Sequence, residues 1–132
     1  MSARLDRLKK RADFLRVAAL RRKWAAPGLI LQAAPGTATE SQADSLRVGF
    51  TVSKKVGNSV CRNRARRRLR AAVAEVFPAR ASVGLDYVVI GRRETLDRPY
   101  SLLLQDLLAA LKRVGALRPE PAEPQTDARG EA

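Results

Sequence analysis

A helix that is apolar along one stripe and bare of acids elsewhere has to lie at a surface, packed from one side only. Residues 53–70, SKKVGNSVCRNRARRRLR, impose that constraint, with eight Lys or Arg in eighteen positions and no Asp or Glu. At about 100° per residue, Val60, Cys61, Ala65, Leu69, Ala72, Val73 and Val76 fall in one apolar stripe. Asn63, Arg64, Arg66, Arg67 and Arg70 occupy the remaining surface. A Gly57-Asn58 turn precedes the segment, Asn58 or Ser59 is suited to cap it, and Pro78 is expected to stop the helix at about Phe77.

Such a segment carries no counterions of its own, so its partner must supply negative charge, and a phosphate backbone is the ordinary source. The whole chain has the same bias, with 26 Lys and Arg against 13 Asp and Glu in 132 residues and a net charge of +13. Arginine on a helix face can also be plain solvated surface, but repulsion along an acid-free row costs stability unless a partner relieves it. Residues 119–132 run the other way, with four acids, one Arg and three prolines, and are expected to form a disordered tail. No apolar stretch approaches the roughly 20 residues of a membrane span and no signal peptide is visible, so the chain reads as soluble and cytoplasmic with no membrane partner. The single cysteine, Cys61, fits a reducing compartment and reads as a small core residue.

The length suits one domain, residues 1–118, opened by a basic arm over about 1–10. A helix is expected over Arg11–Arg22, with Phe14, Val17 and Ala18 on one face. Pro27-Gly28 then admit a strand at Leu29–Ala34, and a loop rich in Pro, Gly, Ser and Thr is expected to join it to a second strand as the two arms of a hairpin. That strand, Leu46–Ser53, alternates cleanly: Leu46, Val48, Phe50 and Val52 face a core, and Arg47, Gly49, Thr51 and Ser53 face outward on an open side. Tyr87–Ile90 reads as a strand buried on both faces. A last helix is expected from Pro99 to Gly115, with Tyr100, Leu103, Leu104, Leu107, Leu108, Leu111 and Val114 inward. The order is α-β-β-β-α-β-α if a further strand precedes or splits Leu46–Ser53, and α-β-β-α-β-α otherwise.

The chain has no histidine, and no CxxC, paired-acid or phosphate-cradling motif, so a catalytic centre made of protein side chains is not expected, nor is a protein metal site. Asp86 and Glu94 read as solvated turn acids, Arg92 and Arg93 either extend the basic surface or flank a strand, and Trp24 either stacks on a base or covers a core edge. No helix-turn-helix, zinc-finger or zipper pattern accompanies the basic run, so folded RNA is the better partner than duplex DNA.

The segment RVGFTVSKKVGNSVCRNRARRRLR, above all Lys54-Lys55, Gly57-Asn58 and Arg62-Asn63-Arg64, resembles the signature of the protein subunit of bacterial ribonuclease P. RLKKRADFLRV near the N-terminus and DYVVIGRR before the Leu-rich helix extend the resemblance over roughly residues 7–114. It implies an α/β sandwich of order α-β-β-β-α-β-α, like a domain of ribosomal proteins, with a left-handed βαβ crossover through the Arg-rich helix. It also implies a non-catalytic cofactor of a large RNA that, with RNA-bound Mg²⁺, removes the 5′ leader of precursor tRNA. The protein would be monomeric in a 1:1 ribonucleoprotein. Lys54, Lys55, Arg62, Asn63, Arg64, Arg66, Arg67 and Arg70 match the positions that face the catalytic RNA, and Phe14, Ile30 and Thr51 the positions that line a cleft for the leader. Ala18 and Gln32 stand where the family often has aromatics, which weakens base stacking, and Arg68 replaces a usually apolar residue. The alternative is a general RNA-binding or ribosome-associated module with no enzymatic partner.

Overall fold

The computed structural model describes residues 4–36 and 45–119. The tail beginning at Glu120 and most of the loop joining the expected hairpin strands lie outside the described residues. A five-stranded mixed sheet carries two helices on one face and one on the other. Its elements are β1 (Arg4–Arg7), α1 (Arg11–Ala19), β2 (Lys23–Ala25), β3 (Leu29–Pro35), β4 (Ser45–Thr51), α2 (Ser59–Arg80), β5 (Leu85–Gly91) and α3 (Tyr100–Arg113), with sheet order β1-β4-β5-β3-β2. The expected α-β-β-β-α-β-α order is present, preceded by one strand more, but the expected hairpin of Leu29–Ala34 with Leu46–Ser53 is not formed: β5 lies between the two strands, antiparallel to β3 and parallel to β4.

That additional strand is a further correction. The supposed basic arm pairs in parallel with β4, Leu5 opposite Leu46 and Arg7 opposite Val48. A segment with one apolar residue in four does not read as a strand; β4's free edge makes it one. The third strand of the expected order is Lys23–Ala25, antiparallel to β3, rather than a division of Leu46–Ser53. It requires α1 to end early: Arg21 takes φ 58°, Arg22 Nε donates to the Val114 carbonyl at 2.6 Å, and the chain turns back along β3.

Alternation along β4 places Leu46, Val48 and Val52 in the main core with Phe50 against it. β5 contributes Tyr87 and Val89 to the same core, β3 contributes Leu29, Leu31 and Ala33, and α2 and α3 cover them with Leu69, Val73, Phe77, Leu103, Leu107 and Leu111. Tyr87 meets Phe77 edge to face at 5.0 Å and donates its hydroxyl to the Ser82 carbonyl at 2.8 Å. Burial pushes that hydroxyl's pKa well above the ordinary phenol value, against the lowering effects of Arg22, Arg118 and the Ser82 bond.

Three further expectations change. Val60, in the first turn of α2, is 72% exposed. Tyr100 lies partly outside and donates to Glu75 Oε1 at 3.0 Å. The α2 helix does not stop at Phe77 but continues to Arg80 with Pro78 inside it. Near a helix end a proline deprives only one carbonyl, that of Ala74, whose residue is exposed to water.

On the opposite face α1 lies over β3 and β5, where Leu8, Val17, Ala34 and Val88 form a second, smaller core with Phe14 and Ile90 at its edge. Asp86 bolts the helix down. Far from being a solvated turn acid, it is 2% exposed within β5, accepts Arg47 Nε at 2.9 Å and Nη2 at 2.7 Å, and is also paired with Arg16 of α1. Asp13 of α1 lies 3.7 Å from Arg47 Nη1. The Asp86 hydrogen bond raises the pKa of Arg47 above its ordinary value despite desolvation.

A cationic helix face and an open sheet face

The turn of Lys54–Val56 and the α2 helix together carry the basic run. Asn58 is the N-cap, its Oδ1 accepting the Cys61 N–H at 2.9 Å. Val56, Ala65, Leu69, Ala72 and Val73 anchor the segment in the core, which leaves Lys54, Lys55, Asn63, Arg64, Arg67 and Arg70 exposed and Arg62 and Arg66 half-buried. Asn63, Arg66, Arg67 and Arg70 follow helical spacing and line one depression with Val60 at its N-terminal end. Arg64 falls on the neighbouring flank and does not share that depression. Arg62 Nε is buried with no hydrogen-bond partner among the described residues.

Five acids of the described residues, Asp6, Asp13, Asp86, Glu94 and Asp106, form ion pairs elsewhere. Their ion pairs are with Arg4, Arg16, Arg47, Arg92 and Arg98, and none reaches Lys54, Lys55 or the α2 arginines. Lys54, Lys55 and Arg62 lie at the N-terminal end of α2, where the helix dipole is positive, no acid stands in the first turn and their charge is unfavourable. An anion laid across this face therefore relieves repulsion as well as adding attraction.

Several basic residues prove to be structural ties instead. Arg68, conspicuous for its charge beside the apolar stripe, donates to the Leu96 carbonyl at 3.2 Å and also to that of Arg98, clamping the turn after β5 onto α2. Arg93 Nε donates to the Lys55 carbonyl at 2.8 Å and so holds the Lys54–Val56 turn in place, while Arg92 ties β5 to Ala26. Glu94 sits beside Arg92 at 3.9 Å. Trp24 is 38% exposed on β2, with the Arg113 guanidinium 4.8 Å above its ring.

The cleft residues assemble on the other side of the sheet. Thr51 and Ile30 are both Cα partners of Ile90, so the three form one row across β4, β5 and β3, with Ala25 of β2 extending it. Phe14 lies one row away, directly over Gly49: a Cβ at position 49 would stand 2.5 Å from Phe14 Cε1. The space beside the small residue is filled by the ring rather than left vacant. Gln32 sits next to the row and Ala18 is exposed on α1. Sequence reasoning missed Ile90, because a strand taken as covered on both faces has no open end; its parity with Val88 and Asp86 was the available signal.

Among the described residues no three Cys, Asp or Glu converge, and the buried Asp86 and Asp106 pair with arginines. No helix among the described residues is long and apolar enough to cross a membrane.

The family model described as Ribonuclease P matches residues 2–115. A ribonuclease P protein component from Paramagnetospirillum magneticum is 82% identical over 96% of this chain and 100% of its own length. One from Gluconacetobacter diazotrophicus is 49% identical over 87% of this chain and 96% of its own. The solved Staphylococcus aureus RNase P protein superposes with a TM-score of 0.66 at 27% identity, covering 85% of this chain and 97% of that one. The RNase P protein from Thermotoga maritima, at 23% identity, shares the fold with a TM-score of 0.64 over 79% of this chain and 93% of its own. The motif on α2, the open sheet face and the arrangement of strands and helices thus occur together in a chain that belongs to the ribonuclease P protein family.

Proposed function

We propose that this chain is the protein cofactor of ribonuclease P, promoting endonucleolytic removal of the 5′ leader from precursor tRNA. The observation that carries the reading is the acid-free face of Lys54, Lys55, Arg62, Asn63, Arg64, Arg66, Arg67 and Arg70, whose cations have no ion-pair partner among the described residues. Folded RNA supplies the missing counterions, and each phosphate neutralised releases condensed cations to solution. On the far side of the sheet, half-buried Phe14, Ile30 and Ile90 and exposed Thr51 offer a surface on which unpaired leader bases lie, with stacking worth about 1–3 kcal/mol per base where a ring is present. Phe14 is the ring that faces the row, so phosphate attraction carries more of the leader affinity than stacking does.

Hydrolysis in this reading belongs to the RNA and to Mg²⁺ held by its phosphates; the protein binds, orients and screens charge, in a cytoplasmic 1:1 ribonucleoprotein. The test is reconstitution with ribonuclease P RNA and precursor tRNA at low Mg²⁺, where adding the chain should accelerate release of the leader. RNA binding without any acceleration would favour a general RNA-binding module instead. The leader role is measured separately, by competition between precursor and mature tRNA for the holoenzyme: the protein should tighten binding of the precursor far more than that of the mature form.

A further inference from the structure

On the α2 side of the sheet, next to its β1 edge, lies a slot of about 150 Å³ walled by Leu5, Val48, Phe50 and Val73 and rimmed by Arg7 and Arg70. Asp6 also borders it and is paired with Arg4 at 3.3 Å. The slot exists because of the register of β1. Leu5 and Arg7 stand opposite Leu46 and Val48, so the position after Leu5 on the core face is an exposed cation where an apolar side chain would close the layer. A second hollow of about 280 Å³ adjoins, sharing Arg7, Val48, Phe50 and Arg70 and adding Lys9 and Arg66, and it reaches Phe14 and Gly49. The side chains of Arg7, Lys9 and Arg70 make no hydrogen bond or ion pair among the described residues, and that of Arg66 bonds only Asn63, at 3.3 Å.

We propose that this slot and its cationic rim hold one unpaired nucleotide of an RNA strand, the base against Phe50 and the phosphate among Arg7, Lys9, Arg66 and Arg70. An apolar cavity of this size admits a six-membered ring. Arginine planes stack on bases as well as pairing with phosphate, and Phe50 supplies the opposing face. A mostly apolar slot with a few charged groups at one end is the usual form of a small-molecule site. The site lies between the α2 face and the leader row, so a strand leaving one toward the other passes over it. The inference rests on the proposed function only for the source of the strand, which is either the leader or the catalytic RNA.

Titration of the full ¹⁵N-labelled chain with uridine 5′-monophosphate, and separately with inorganic phosphate, tests the site by NMR. The nucleotide should shift the amide signals of Leu5, Val48, Phe50 and Val73 saturably, whereas phosphate, besides acting on the exposed cations of the α2 face, should within this site move only those around Arg7, Lys9, Arg66 and Arg70. Leu5→Trp, which fills the slot, should weaken the nucleotide at least tenfold and leave the phosphate response unchanged. Arg7→Ala should weaken both and serves if the tryptophan variant does not fold. Nucleotide shifts identical to those of phosphate, or confined to Thr51, Ile90 and Ile30, would overturn the proposal. In the assembled holoenzyme, 4-thiouridine placed in the leader or in the catalytic RNA identifies the source by which of the two cross-links to residues 5–9 or 48–50. No cross-link there from either RNA would also refute it. A chain that stimulates leader removal yet shows no slot shifts loses the slot and keeps the function.

Discussion

Gly49→Ala isolates the packing that seats α1 on the sheet. The added methyl would lie 2.5 Å from Phe14 Cε1 and 3.2 Å from Leu8 Cβ, so the ring has to lift away from β4. Overpacking of this kind costs about 1–3 kcal/mol. With Phe14 truncated the clash is largely gone, and Ala is favoured over Gly in a strand by roughly 0.5–1 kcal/mol through the entropy of the unfolded chain. Gly49→Ala should therefore destabilise the wild type by about 1–3 kcal/mol and be close to neutral in a Phe14→Ala background, a coupling of about 1–3 kcal/mol. Urea denaturation of the four proteins, followed by far-UV circular dichroism, gives the cycle directly. The same variant should reduce the preference of the holoenzyme for precursor over mature tRNA, because the displaced ring no longer faces the Thr51–Ile90–Ile30 row. Equal cost of Gly49→Ala in both backgrounds would refute the placement of Phe14 over Gly49.

Asp86→Asn leaves Arg16 and Arg47 without their buried counterion and should cost about 3 kcal/mol in denaturant stability, whereas Glu94→Gln, at an exposed pair, should cost under about 1 kcal/mol. Arg62→Ala with Arg64→Ala should weaken binding to ribonuclease P RNA and lower the log-log salt slope by about 0.7–0.9 for each phosphate no longer neutralised; an unchanged slope in the folded double variant would remove these residues from the interface. The raised pKa of Tyr87 means that the folded state holds its proton more tightly than the unfolded chain, so the stability it contributes is complete below pH about 10 and falls as pH rises beyond that. Tyr87→Phe should flatten that alkaline decline in pH-dependent denaturation, and an unaltered profile would place the titration elsewhere.

Periodicity made much of the molecule legible in the sequence. Alternation along residues 46–52 separates core from open face using only neighbouring side chains, and the stripe through Ala65, Leu69, Ala72 and Val73 orients α2 with its arginines outward. The Arg-rich motif likewise marks the cationic face, because an excess of charge with no nearby acid is a local property. Where one strand meets another is not local. Arg4–Arg7 and Lys23–Ala25 have no pattern of their own and become strands because β4 and β3 offer unpaired edges. The sequence shows that Asp86, Arg16 and Arg47 are charged, but only the Arg47–Asp86 register and the approach of α1 turn an expected surface acid into a buried clamp. Register also brings Ile90 between Thr51 and Ile30, and halts β1 at Arg7 beside an unfilled slot. Residue type and spacing determined which surfaces are apolar or cationic; long-range pairing, which joins positions tens of residues apart, decided which of those surfaces meet.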